Sequence, residues 1–147
     1  MNDNILTSRE AAELFVQGFN CSQVVLSKVS EEYGLDKDMA CHIASAFGGG
    51  MNCGNVCGCV TGALMALGLV YGFDQPGEQE LAAQIREKTL EFEKRFAQEN
   101  GSILCRELLQ CDITVPEELE ALKKSGKMLQ LCPCLAESAS TILADML

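Results

Sequence analysis

The stretch CGCVTGALMALGLVYG, from Cys57 to Gly72, decides the fold class. From about Val60 to Val70 it is apolar on every side, whereas a helix on the surface of a domain keeps one polar face. The apolar run is also too short to span a bilayer, which takes about 20 residues. The stretch therefore predicts a buried central helix.

The segments on either side of this stretch are predicted to be helical as well. The sequence T-S-R-E at Thr7 to Glu10 is a capping box that begins the first helix. The remaining helices are predicted at Cys21 to Tyr33, Asp36 to Phe47, Glu78 to Gln98, Ser102 to Leu109, Glu117 to Lys124 and Leu135 to Leu147. Residues 51–58 are predicted to form an ordered loop, rich in glycine and cysteine. We therefore predict one all-α domain over residues 1–147, a helical bundle around the central helix.

The charge balance of the chain excludes some classes of binding partner. The chain has 147 residues with 21 acidic and 11 basic side chains, and its net charge is −10. It therefore lacks the basic surface that nucleic acids and anionic membranes require. The first 15 residues, MNDNILTSREAAELF, lack the basic and apolar regions of a signal peptide. We expect a cytoplasmic protein, and the apolar central helix and acidic surface permit a homodimer.

The nine cysteines are the unusual feature of the composition. A domain of this length buries enough apolar surface to fold without disulfides or a metal ion. In the cytoplasm structural disulfides are rare, so that clustered cysteines more often indicate metal or redox chemistry. The cysteines therefore point to the function and not to the stability of the fold.

The densest group is Cys53, Cys57 and Cys59, in the glycine-rich loop that opens the central helix. Glycines allow backbone N–H groups to approach a thiolate, and the N-terminus of a helix stabilises negative charge. A cysteine at this place is favoured as a nucleophile or as a metal ligand. The alternative is that these cysteines are small buried apolar residues.

The second group is Cys132-Pro133-Cys134, which we expect at the entry to the last helix. Two cysteines one residue apart do not join in an unstrained disulfide, so their thiols are expected to face different partners. The other cysteines are isolated along the chain, at Cys21, Cys41, Cys105 and Cys111. His42, the single histidine, is interpreted as an ordinary helix residue and not as a ligand.

These motifs together resemble a known family, the redox-active proteins named C_GCAxxG_C_C for four characteristic cysteines and a CGAxxG motif. The matching segments are FNCSQVVL (Phe19 to Leu26), FGGGM (Phe47 to Met51), CGCVTGALMALGLVYG (Cys57 to Gly72), GSILCRELL (Gly101 to Leu109) and the CPC sequence. The resemblance covers essentially the whole chain. It identifies the four family cysteines as Cys21, Cys57, Cys105 and Cys132.

The resemblance implies a redox function in anaerobic metabolism. A related domain occurs in a haem protein of sulfate reducers that also holds an iron–sulfur centre. We therefore expect an iron–sulfur cluster or a related metal cluster, ligated by the four family cysteines. The protein would act in electron transfer with a redox partner protein or a small electron carrier.

The sequence departs from the family pattern by adding thiols. Cys59 replaces the alanine of CGAxxG, and Cys41, Cys53, Cys111 and Cys134 are also additional. Five added thiols suggest further ligands for a larger or second cluster. We expect Cys53, Cys59 and Cys134 to join the metal ligands, and with less support from the spacing Cys41 and Cys111. The Cys53–Cys59 loop and the CPC segment are then predicted to be neighbours.

Two other functions remain open at this point. The first is thiol–disulfide exchange, in which Cys57 attacks and Cys59 or Cys132 resolves the mixed disulfide. The second is a structural zinc or metal-storage site, although the paired CxxC sequences typical of such sites are absent. Bound iron with sulfide would indicate the cluster, a reactive dithiol would indicate thiol–disulfide exchange, and stoichiometric zinc would indicate the structural site.

If the added cysteines are ligands, the double substitution Cys53→Ala, Cys59→Ala lowers the iron content per chain while the fold survives. The fold is expected to survive because a core of this size does not depend on two cysteines. Iron and sulfide determination on anaerobic protein, with circular dichroism as the folding control, tests this. Unchanged iron, sulfide and visible spectrum would make these two thiols packing residues.

Overall fold

The fold is known from a computed structural model, which describes residues 3–147. The helices are α1 (Ser8–Gln17), α2 (Cys21–Val29), α3 (Lys37–Ala44), α4 (Gly58–Tyr71), α5 (Gln79–Asn100), α6 (Cys105–Leu109), α7 (Pro116–Ser125) and α8 (Lys127–Met146). A 3₁₀ turn, Ser30–Tyr33, continues α2, and a π-type turn, Gly50–Gly54, precedes α4. Within residues 3–147 there is no β-strand, and an isolated bridge joins Val56 to Leu104. The all-α prediction is confirmed.

Side-chain caps begin several helices where the sequence predicts them. The Thr7 hydroxyl accepts a hydrogen bond from the Glu10 amide, and the Asp36 carboxylate accepts one from the Met39 amide. Asn20 and Gln23 form a reciprocal capping box at the start of α2. These contacts satisfy amides that the first turn of a helix leaves without a partner.

Helix α4 is the buried centre of the bundle. Val60, Ala63, Ala66 and Leu67 are completely inaccessible to solvent, as the apolar stretch predicts. The stacked rings of α5, Phe92 and Phe96, complete this core with side chains of α2 and α8. No helix in residues 3–147 combines the length and apolar character needed to cross a membrane.

Two predicted boundaries are wrong. The last helix begins at Lys127 and contains Pro133, although the sequence predicts that the CPC segment stands at its entry. An internal proline removes one hydrogen bond to the carbonyl four residues earlier, here that of Leu129, and its ring crowds that carbonyl. Pro133 is itself buried, so the packing of α8 against the bundle holds the helix together across it.

The short helix α6 also begins later than predicted, and Leu104 takes the cap position that was expected for Ser102. The bridge between Val56 and Leu104 keeps the chain extended through Leu104, so that helical geometry starts only at Cys105. The Ser102 hydroxyl still accepts a hydrogen bond from the Leu104 amide and donates one to Glu107.

Glycines of α4 allow a close approach between α4 and α2. A Cβ atom on Gly62 would lie 2.6 Å from the Ser22 carbonyl oxygen, and one on Gly58 would lie 2.9 Å from the Cys21 Cβ. In real structures Cβ atoms essentially never lie within 3.0 Å of such a neighbouring atom. The beginnings of the two helices therefore touch because neither glycine carries a side chain.

Replacing Gly62 by alanine is expected to destabilise the fold by about 2 kcal/mol, a typical cost of overpacking a tight contact. Gly68 on the same helix is the matched control, because a Cβ there meets no atom within 4 Å. Gly68→Ala is expected to stabilise the helix by about 0.5–1 kcal/mol. Urea unfolding measures both free energies, and equal effects of the two substitutions would contradict the close-contact interpretation.

Candidate functional site

Two cysteines lie at the beginnings of helices. Cys21 is the first residue of α2, and Cys59 is the second residue of α4. The contact at Gly58 brings these two helix N-termini together. The dipoles of both helices create a positive local potential at their N-termini, which favours a thiolate there.

The bridge between Val56 and Leu104 positions two further cysteines. The Cys57 amide donates to the Ile103 carbonyl at 2.7 Å, and the Cys105 amide donates to the Asn55 carbonyl at 2.7 Å. These paired backbone bonds hold the start of α4 against the start of α6. Cys57 and Cys105 are thereby placed on the same side of the bundle, although 47 positions separate them along the chain.

A left-handed turn completes the backbone around the site. Gly49, Gly50, Met51 and Asn52 all have φ near +60°. For the two residues with side chains this conformation costs about 1–2 kcal/mol each. The turn presents the Gly49 amide to the Cys21 sulfur as a hydrogen-bond donor. The strain is therefore located beside the candidate site.

Five thiols meet here and form what we call the cysteine cluster, Cys21, Cys57, Cys59, Cys105 and Cys132. Cys21 lies beside both Cys132 and Cys59, and Cys59 lies beside Cys57. Cys105 lies close enough to Cys57 and Cys21 to interact with them electrostatically. The Cys53–Cys59 loop and the CPC segment are neighbours, as predicted.

Negative charge in the cluster concentrates on Cys21. The Cys132 thiol, then the Cys59 thiol, donate to the Cys21 sulfur and lower its pKa well below the usual value. The amides of Gly49 and of Cys21 itself act in the same direction, while burial opposes them. Cys21 is therefore the cluster sulfur that is favoured as a thiolate.

The neighbours of Cys21 remain protonated because they are its donors. Hydrogen bonds to Cys21 and Cys57, followed by burial, raise the pKa of Cys59. The hydrogen bond to Cys21, followed by burial, raises the pKa of Cys132. For Cys105 burial comes first, then the charges of neighbouring thiolates, and its pKa rises to about 12. Ionising one thiol thus suppresses ionisation of the others.

A cavity of about 340 Å³ opens onto the cluster. Cys21, Cys105 and Cys132 form part of its wall. Cys57 and Cys59 lie behind that wall, with 4% and 0% of their surface exposed. A small molecule in the cavity can therefore contact Cys21 and Cys132 but not the two buried thiols.

Three added cysteines lie away from the cluster. The Cys53 and Cys134 thiols are exposed and donate to the carbonyls of Gly50 and Gln130 within their own turns. Cys41 is half-buried beside the exposed His42, at a separate surface depression. The expectation that the added thiols converge is wrong for these three, because each faces outward from its own helix or turn.

Cys111 occupies an intermediate position. Its thiol donates to the Glu118 carbonyl at 3.6 Å, and the side chain packs against the small apolar group of Cys105, Leu109 and Leu122. Cys59 is therefore the added cysteine that enters the cluster itself.

The cysteine side chains of the described chain are not arranged as a ready metal site. In residues 3–147, no group of three or more His, Cys, Asp or Glu side chains is arranged to hold a metal ion. All nine cysteines are free thiols. The ligand set remains a prediction from the sequence.

Sequence reasoning missed the cavity and the importance of Cys21. The cavity is lined by residues of α1, α2, α6, α7 and α8, which no local pattern brings together. Cys21 follows an asparagine at a predicted helix start, and this position is a signal for a stabilised thiolate. The Gly48-Gly49-Gly50 run signalled a turn, but not its left-handed form.

Replacing Cys132 by alanine removes the leading donor to Cys21, and the pKa of Cys21 should therefore rise. Alkylation of Cys21 by iodoacetamide should then slow at each pH below the raised pKa, by about ten-fold for each unit by which the pKa comes to exceed that pH. Mass spectrometry of Cys21 peptides between pH 5 and 10 measures this profile. Cys134→Ala, which removes an exposed thiol on the same helix, should leave it unchanged, and an unchanged profile in Cys132→Ala would contradict the assignment.

Most of the chain matches a known protein family. Residues 19–146 match the family described as "Putative redox-active protein (C_GCAxxG_C_C)", which is most of the chain and includes every residue of the cysteine cluster. No curated protein and no solved structure matches the chain. All four family cysteines belong to the cysteine cluster, and the protein is a member of the C_GCAxxG_C_C family of redox-active proteins.

Proposed function

We propose that the protein carries out thiol–disulfide exchange, with Cys21 as the attacking thiolate and Cys132 as the resolving thiol. The observation that carries this proposal is that Cys21 and Cys132 line the wall of the same cavity. The attacking group is ionised, its partner is protonated, and both can be reached from the cavity. Membership of a redox-active family supports the same chemistry.

Cys21 replaces Cys57 as the attacking residue that the sequence suggested. Cys57 is 4% exposed and does not line the cavity, so a substrate cannot reach its sulfur without local opening. Cys21 combines access from the cavity with thiol and amide donors that stabilise its charge. An accessible, stabilised thiolate is the feature shared by reactive cysteines.

The reaction balances within the dithiol. The Cys21 thiolate attacks a substrate disulfide, which forms a mixed disulfide and releases one substrate sulfur as a thiolate. Cys132 then loses its proton and attacks Cys21, which forms the Cys21–Cys132 disulfide and releases the second substrate sulfur. The protein gives up two electrons, the substrate disulfide gains them, and the released thiolates take one proton from Cys132 and one from water.

An iron–sulfur cluster is the second candidate function. The observation in its favour is that five cysteines from α2, α4, α6 and α8, together with the loop before α4, gather at one place. Thiolates and nearby amides are what such clusters require. The family cysteines Cys21, Cys57, Cys105 and Cys132 would hold it, and it would supply one-electron transfer. Zinc bound by the same thiols is a weaker alternative.

Hydroxyethyl disulfide, a small neutral oxidant, should convert anaerobically purified protein to a form with a Cys21–Cys132 disulfide. Alkylation before and after reduction, followed by mass spectrometry, identifies the bonded pair. Cys132→Ala should stop at a mixed disulfide on Cys21, because the resolving thiol is missing. Cys134→Ala is the matched control and should form the Cys21–Cys132 bond normally.

Metal analysis of the same samples decides between the candidates. Stoichiometric iron and sulfide with visible absorbance, lost in Cys21→Ala, would overturn thiol–disulfide exchange and favour the cluster. Stoichiometric zinc without a redox couple would favour the structural site. A Cys132→Ala protein that still forms an intramolecular disulfide at Cys21 would show that a different thiol resolves it.

A further inference from the structure

Much of the wall of the cavity beside the cluster is apolar. Its apolar side chains are Phe15, Phe19, Leu109, Ile113, Met128 and Leu129. Its volume of about 340 Å³ lies near the lower end of the range for small-molecule sites, about 300–1,000 Å³. The cavity therefore suits a small ligand with an apolar body, which gains by leaving water.

The charge around the cavity is unlike that of the whole protein. The chain carries 21 acidic and 11 basic residues, yet within residues 3–147 no aspartate or glutamate lines this cavity. Its charged lining residue is Lys123, in the last turn of α7. The ion pairs of the described chain include the neighbouring Lys124 with Glu120 at 3.1 Å, but not Lys123. Lys123 is therefore placed to attract an anionic group on a ligand.

The remaining part of the wall is chemically reactive. Cys21 and Cys132 line the same cavity as Lys123 and the apolar side chains. A ligand that fills the cavity thus meets a thiol pair, an apolar wall and a cation at once. The class of molecule that matches all three is a small disulfide on an apolar chain that ends in a carboxylate.

We propose that the cavity binds small apolar disulfide acids as the substrates of the Cys21–Cys132 pair, with Lys123 contacting the carboxylate. This inference rests on the proposed thiol–disulfide exchange and names its substrate class. The ligand disulfide gains the two electrons of the dithiol and becomes a dithiol acid. Larger, highly charged peptide disulfides fit neither the apolar wall nor the single cation.

Lipoate and lipoamide are suitable probes, because they share one cyclic disulfide and one methylene chain and differ only in carboxylate against neutral amide. The rate of formation of the Cys21–Cys132 disulfide is followed by rapid alkylation and mass spectrometry. Lipoate should react about three- to five-fold faster than lipoamide at low salt, the advantage of a partly exposed ion pair. The preference should shrink at high salt.

Two variants with a matched control locate the preference. Lys123→Met should abolish the advantage of lipoate over lipoamide, and Lys124→Met should retain that advantage. Leu129→Asp, at a 55% exposed position of the wall, should slow lipoate more than lipoamide because it places a negative charge there.

The amide probe also separates free acids from the same group attached to a carrier protein through an amide. Equal rates for lipoate and lipoamide, or a preference that survives in Lys123→Met, would overturn the inference. If hydroxyethyl disulfide forms the Cys21–Cys132 bond and neither cyclic probe does so, the proposed exchange stands and the substrate class is wrong. If none of the three forms that bond, the proposed function fails as well.

Discussion

The close contact between the beginnings of α2 and α4 is the constraint on which the site depends. Gly58 and Gly62 permit it, since a side chain on either would collide with Cys21 or with the Ser22 backbone. The contact places Cys59 within hydrogen-bonding reach of Cys21 and directs two helix N-termini toward the same sulfurs. The packing of the core and the electrostatics of the site therefore share one cause. A change that separates these helices would loosen the fold and remove stabilisation from the thiolate.

Electrostatics then assign different roles to chemically identical side chains. Two negative sulfurs in contact repel strongly where water is excluded, so the first ionisation in the cluster opposes a second. Cys21 carries the charge because thiol donors and the Gly49 amide converge on it, and the pKa of each donor rises in return. The arrangement yields one accessible thiolate with a protonated partner beside it. Thiol–disulfide exchange needs this combination, whereas four thiolates around one metal centre would need the metal's own charge to offset their repulsion.

The sequence predicted the parts of the structure that local rules govern. The apolar stretch around Val60 to Val70 identified the central helix, and the caps at Thr7 and Asp36 marked helix starts. The predicted start of the last helix was wrong because proline usually ends or begins a helix. Here Pro133 lies inside α8, and the packing of α8 against the bundle keeps the helix continuous across it. The convergence of distant cysteines follows from contacts between helices, which spacing alone does not encode. Family resemblance supplied four of the five cluster residues. The sequence also proposed Cys59, and the structure separates it from Cys53 and Cys134, which are exposed.

Cys59 shows what the additional thiols of this chain can contribute. Cys41, Cys53 and Cys134 lie apart from the cluster, and exposed thiols there neither donate to Cys21 nor contact the cavity. Cys59 stands where the family motif has alanine, fully buried behind Cys21, and no substrate can reach it. An alanine methyl at this position could not donate a hydrogen bond, so the cysteine adds a buried donor beside Cys21. Cys21 itself lines the cavity, and Cys59 does not. One buried thiol can in this way affect the pKa of a sulfur that lines the cavity without lining the cavity itself.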